Sequence, residues 1–153
     1  YQRGSFGPYA PGLKGLITRL VNNGLIREER LGQIFAVKVG PTFEDARRVY
    51  ERDLARWRDT IEELVDLFMR MRTQQAELAA TVHFAARSLA REGREKPSEK
   101  DVLAEVMRWK QRRRPSLNEA EVALTIRNLS MLGWPDVKPS PDLPIPEEAL
   151  LDV

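Results

Sequence analysis

The sequence predicts an α+β fold that is mostly α: a helical domain with one β-hairpin, a helix-and-wing-like start followed by a helical bundle. Three observations carry this. Apolar residues recur at three-and-four spacing in several stretches, most clearly at Leu54, Trp57, Ile61, Leu64, Val65 and Phe68, the period of one helix face. One stretch alternates instead, with Phe35, Val37 and Val39 ahead of Gly40-Pro41, the period of a strand with a turn after it. Capping-type residues precede several of the periodic runs: Thr42, Ser98 and Asn118 each have an acidic residue three places on, which is how a helix start reads in sequence.

The chain has 153 residues and is 42% hydrophobic, enough for one domain with a core. Its 25 basic and 23 acidic residues nearly cancel, so global charge does not mark a nucleic-acid binder. The absence of cysteine excludes disulfide and thiolate chemistry and agrees with a reducing compartment. No apolar run approaches the roughly 20 residues of a membrane span, and no signal peptide is evident. The expectation is a soluble, cytoplasmic protein without a membrane role. The opening Tyr1-Gln2-Arg3-Gly4 reads as the middle of a longer chain.

Taken in order, Gly7-Pro8-Tyr9-Ala10-Pro11 is a constrained lead-in, because proline fixes φ and restricts the residue before it. Tyr9 is expected to pack, with its hydroxyl satisfied. A helix follows from about Pro11, striped by Leu13, Leu16, Ile17, Leu20 and Val21 and stopped by Asn23-Gly24. Leu25 to Glu29 and Gln33 to Val39 read as two strands joined by Arg30-Leu31-Gly32. The plain reading is a hairpin covering one side of a helical core, and the alternative is a DNA-reading wing.

Thr42 with Asp45 opens the next helical region, and Phe43 to Arg72 contains no proline or glycine. We expect two helices there, meeting near Asp53, with the Leu54 to Phe68 stripe forming a central core helix. A short break at Thr73-Gln74 leads into a helix striped by Leu78, Ala79, Val82, Ala86 and Leu89. Arg91 to Pro97 is a polar loop. Ser98 and Asp101 cap a helix through Val102, Leu103, Val106, Met107 and Trp109, which ends in the basic run Lys110, Arg112, Arg113 and Arg114. Basic residues at a helix C-terminus complement the macrodipole, and as a phosphate site the run is the alternative. Asn118 and Glu121 cap the last helix, with Val122, Ile126, Leu129 and Leu132 facing inward and Trp134 packing after Gly133. Five prolines between Pro135 and Pro146 mark 135–153 as a proline-rich tail or linker, whose end, Ala149, Leu150, Leu151 and Val153, either docks in a groove or stays free.

The inventory of chemistry is short. There is no phosphate-binding glycine loop, nucleophile elbow or metal motif, so no cofactor and no metal are expected. The single histidine, His83, lies beside an apolar stripe and reads as structural. What remains is charge: Asp59, Glu62, Glu63 and Asp66 recur at helical spacing and form one acidic strip about 10 Å long at 1.5 Å per residue. A solvated surface explains such a strip by default. Its single sign supports a second reading, a row of carboxylates standing in for backbone phosphates before a basic groove.

Three stretches in register resemble the C-terminal domain of DarG, the antitoxin of DarT–DarG toxin–antitoxin systems: Arg3 to Ala10 with the helix after it, Glu77 to His83, and Pro97 to Trp109 with its basic run. The similarity extends over nearly the whole chain up to Trp134. It departs from the family at 70–76, which lacks a Pro-Tyr-Gly type of turn, and it begins without the helix that precedes the Gly-Pro-Tyr stretch in relatives. The resemblance implies a toxin-binding antitoxin domain over 1–134, without catalytic activity, joined in the full-length chain to an upstream macrodomain that removes ADP-ribose from DNA. Its partner would be a DarT-like ADP-ribosyltransferase toxin whose DNA groove it covers. Asp59, Glu62, Glu63 and Asp66 are the candidate partner-binding residues. The second reading is a winged-helix-like DNA-binding domain using Arg27, Arg30 and Lys38, with Arg112 to Arg114.

Overall fold

A computed structural model describes residues 1–93 and 96–146. It is mostly helical, as the sequence predicts, with two small antiparallel hairpins where one was expected. The elements are β1 (Gln2–Gly4), β2 (Gly7–Tyr9), α1 (Leu13–Asn22), β3 (Ile26–Leu31), β4 (Ile34–Val39), α2 (Phe43–Val49), α3 (Glu51–Ala55), α4 (Arg58–Met69), α5 (Thr73–Glu92), α6 (Glu99–Trp109) and α7 (Glu119–Met131). They divide into two compact units, one formed by Tyr1–Tyr9 with Met71–Val153, the other by Ala10–Arg70.

The core belongs to the first unit. Leu78, Ala79, Val82, Ala85 and Ala86 of α5 meet Val102, Leu103 and Val106 of α6 and Val122, Ala123, Ile126 and Leu129 of α7, all buried. Each set repeats at three-and-four spacing, so three amphipathic helices bury one face apiece against the other two. Their caps follow the sequence. The Ser98 hydroxyl accepts from the Asp101 amide while the Asp101 carboxylate accepts from the Ser98 amide. Asn118 accepts from the Ala120 and Glu121 amides. α7 ends with Gly133 at φ 78°, its amide donating to Ser130 and that of Trp134 to Leu129, the paired C-terminal closure that a left-handed glycine permits. Leu132, expected inside, is exposed: the helix has ended there, and its side chain has left the buried stripe.

Two parts of this unit depart from expectation. The lead-in is a hairpin, with Gln2, Arg3 and Gly4 paired to Tyr9, Pro8 and Gly7. Gly7 makes it possible: its φ is +125°, a backbone conformation that favours glycine. Tyr9, at the far end, is exposed rather than packed. The segment after Trp134 is no free linker as far as Pro146. Val137, Ser140 and Leu143 are buried, and Lys138 exchanges backbone hydrogen bonds with Pro97 and Glu99 in a short parallel bridge. Prolines exclude long ladders, not packing. The expected docking of Ala149, Leu150, Leu151 and Val153, and part of the 91–97 loop, lie outside the described residues.

The second unit is built differently. β3 and β4 pair from Ile26↔Val39 to Leu31↔Ile34 around Gly32 at φ 65°, a tighter turn than the Arg30-Leu31-Gly32 link expected. Gly40 comes so close to Gly24 that a Cβ would overlap its carbonyl oxygen, at 2.1 Å; this approach ties the end of β4 to the end of α1. Thr42 caps nothing with its side chain. Its hydroxyl donates to the Asn23 carbonyl instead. Between 43 and 69 the chain makes three helices, broken at Tyr50 and at Arg56-Trp57, where two were expected. No residue from Ala10 to Arg70 is buried. Leu54, Trp57, Ile61, Val65 and Phe68 are all exposed, which overturns their reading as the stripe of a central core helix. Phe35, Val37 and Val39 are exposed as well, so the hairpin face expected to cover a helical core is uncovered.

Candidate partner-binding surface

α4 carries the acidic strip. Its first turn holds Asp59, a favourable charge near the positive end of the helix dipole. The periodicity then places Glu62, Glu63 and Asp66 above it on the same side. At 100° per residue that side lies opposite Ile61, Leu64, Val65 and Phe68. All four carboxylates are exposed. Asp66 is engaged: it accepts from Arg70 Nε at 3.2 Å and Nη2 at 2.7 Å, an i,i+4 pair between two well-exposed side chains and therefore weakly held. Among the described residues no cation pairs with Asp59, Glu62 or Glu63. The strip is thus three open carboxylates and one that Arg70 can release.

Of the basic groups considered for nucleic acid, Arg27 and Arg112 are exposed and several others are engaged. On the β3–β4 hairpin, Lys38 Nζ sits 2.5 Å from Glu29, and Arg30 Nε donates to the Gly32 carbonyl. Within the basic run, Lys110 does not face solvent at all. It is 5% exposed, donating to the Ser5 carbonyl at 2.9 Å and to Glu77 Oε1 at 3.0 Å, with its ammonium 5.4 Å from the Trp109 ring centre. Arg113 also approaches Glu77, at 3.6 Å. From the β1–β2 hairpin Arg3 pairs with Glu105 at 2.5 Å and lies over the Trp109 ring, while Phe84 packs against the same indole. Arg3, Ser5, Glu77, Trp109 and Lys110 are therefore joined in space by one structural pin. Charge counting along the sequence missed it, because an inward lysine looks no different from an outward one there.

His83 is half-buried on α5 with its ring edge-on to Trp134, 6.3 Å between centres. Burial, then the charge of Arg87, lower its pKa from the ordinary 6.5, and a backbone hydrogen bond with Trp134 opposes them. Among the described residues no cluster of three metal-ligating side chains occurs, and no helix is long and apolar enough to cross a membrane. No protein-family model, curated protein or solved structure matches the chain.

Proposed function

We propose that this chain is an antitoxin domain that binds a DarT-like DNA ADP-ribosyltransferase and neutralises it by covering its DNA-binding surface. It works in the cytoplasm as a non-catalytic module beside an upstream macrodomain. The observation that carries this reading is the run Asp59, Glu62 and Glu63, which no cation among the described residues pairs, continued by Asp66, on one exposed side of α4. Successive carboxylates are about 4.5, 1.5 and 4.5 Å apart along the helix axis, a row about 10 Å long. A basic groove that tracks a phosphate backbone meets a row of the same charge sign in this helix.

The test is co-elution of the chain with its cognate ADP-ribosyltransferase on a sizing column at fixed salt, with single-stranded DNA as competitor. The expected result is a complex that DNA displaces. Retention of DNA by the chain itself, with no complex, would instead favour the winged-helix reading.

A further inference from the structure

The β3–β4 hairpin has two unequal edges. β3 reads Ile26-Arg27-Glu28-Glu29-Arg30-Leu31 and has α1 lying against it. β4 reads Ile34-Phe35-Ala36-Val37-Lys38-Val39, with one charge and no proline, and that charge is already paired to Glu29. Sheets blunt an exposed edge with charges, proline or a covering element. β3 has charge and cover, and β4 has neither. Phe35 is 65% exposed, Val39 61% and Val37 57%.

The register shows which backbone groups this edge presents. Gly32, at positive φ, and Gln33 form a two-residue turn closed by Leu31↔Ile34, and a loop of that length is flanked by a hydrogen-bonded pair. Glu29↔Ala36 and Arg27↔Lys38 repeat that phase two and four residues on. The Gly40 amide, donating to the Leu25 carbonyl at 2.8 Å, continues it. Phe35, Val37 and Val39 therefore point N–H and C=O away from β3. Among the described residues no backbone group of another element pairs with them. Their side chains also share one face, since strand period is two.

A second β4, antiparallel to the first, satisfies all of this at once. With Val37 opposite its own counterpart, Phe35 falls opposite Val39 and Ala36 opposite Lys38. All three outward residues then form hydrogen-bonded pairs, and the apolar side chains of both copies lie on one face. Aromatic against β-branched side chains is a favourable cross-strand match. Moving the centre to Lys38 would set like charges against each other, and moving it to Ala36 would leave Val39 beyond the strand. Any extended segment satisfies the backbone; self-complementarity about one residue is what a two-fold interface requires.

We propose that β4 is a homodimerisation edge: two copies of this chain join β4 to β4 about a two-fold axis at Val37, giving one four-stranded sheet with the charged β3 strands outermost. The proposal is independent of α4 and of the partner proposed for it. Two six-residue strands make a small interface, so the dimer should dissociate at about 10–100 µM.

The experiment is sedimentation velocity of the whole chain over about 1–500 µM, with amide exchange followed at low and high concentration. Wild type is compared with Val37→Lys, Val37→Glu and their equimolar mixture. Wild type should pass from monomer to dimer. Exchange at Phe35, Val37 and Val39 should slow with concentration, while Ala36 and Lys38, already paired to β3, should not change. Each variant alone should associate at least about tenfold more weakly, because like charges then meet at the axis. The mixture should regain the dimer, because opposite charges meet there, a result that misfolded variants would not give. A wild type that is monomeric throughout overturns the proposal. A dimer equally strong in Val37→Lys assigns association to another surface and overturns it, as does a mixture that remains monomeric.

Discussion

Glu99 and Arg127 are joined by two parallel hydrogen bonds, Nε to Oε1 at 2.7 Å and Nη2 to Oε2 at 2.8 Å, around a carboxylate that is 1% exposed. The same pair holds the proline-rich segment. The Ser140 amide donates to Glu99 Oε2 at 2.7 Å, and Arg127 Nη2 donates to the Ser140 carbonyl at 3.0 Å. One ion pair thus fastens the start of α6, the middle of α7 and the tail. Its two halves are unequal, because Arg127 keeps a route to water, 28% exposed, and Glu99 does not. Arg127→Met should therefore cost about 3–5 kcal/mol by stranding a buried carboxylate, and Glu99→Gln only about 1–3 kcal/mol. Urea denaturation of the two variants checks the order as well as the size.

Stability should fall with acid in two steps. His83 has a pKa below the ordinary 6.5, chiefly through burial and then Arg87. The unfolded chain therefore takes up that proton first, and stability present above pH 6.5 declines as pH falls through the folded value. Burial works to raise the Glu99 pKa, but the Arg127 hydrogen bonds and the Ser140 amide outweigh it, and the net shift is downward from 4.5. Asp101 is lowered from 3.8 by its hydrogen bonds with the Ser98 hydroxyl and amide. Both carboxylates contribute stability above those ordinary values that is lost as pH drops through the folded ones. Melting temperature against pH should show a shallow decline below 6.5 and a steeper one below 4.5, the second reduced in Glu99→Gln.

Truncation after Trp134 should unfold the first unit or leave it close to unfolding. It removes Val137 and Leu143 from the buried set and takes the Ser140 amide from Glu99. Loss of the apolar burial alone costs about 1.5–3 kcal/mol per side chain. Circular-dichroism melts of the truncated and whole chains decide it: equal melting would mean the tail is only a linker.

Lys110→Met should release the N-terminal hairpin. The ammonium links the Ser5 carbonyl to Glu77 from a site that is almost closed to solvent, so its removal leaves the Ser5 carbonyl without its partner and Glu77 with Arg113 at 3.6 Å, at a cost of about 1–3 kcal/mol. Hydrogen exchange should rise at Gln2 to Tyr9. Arg112→Ala, on an exposed neighbour, should leave exchange there unchanged.

Replacing Glu62 and Glu63 by lysine should leave stability within about 0.5 kcal/mol, as for exposed positions that pair with no described cation, whereas Asp59→Lys should cost about 1 kcal/mol by opposing the helix dipole. Asp66→Ala should weaken binding of the proposed toxin partner less than the same change at Glu62 or Glu63, because Arg70 already holds that carboxylate. Thermal melts and pulldown of the toxin measure the two effects separately.

The sequence by itself determined the local structure where a short-range rule governs it. The three-and-four stripes of α5, α6 and α7, the Ser98 and Asn118 caps, the Gly133 stop and the alternating Phe35 to Val39 strand each depend on neighbours within one or two turns. The acidic strip on α4 was legible for the same reason, since helical spacing alone puts Asp59, Glu62, Glu63 and Asp66 on one side. Only the tertiary structure decided which apolar faces find partners. Leu78, Val102 and Ile126 are buried while Trp57, Ile61 and Val65 are exposed, although the same periodicity marks both sets. The reason is physical: amphipathicity states that a face can be buried, while burial requires a second surface whose position depends on the path of the whole chain. Lys110 and the proline-rich segment follow the same logic. An inward lysine is defined by Ser5 and Glu77, which lie 105 and 33 residues away, and the tail by Glu99, 41 residues from Ser140. Contacts at such separations leave no trace in local pattern.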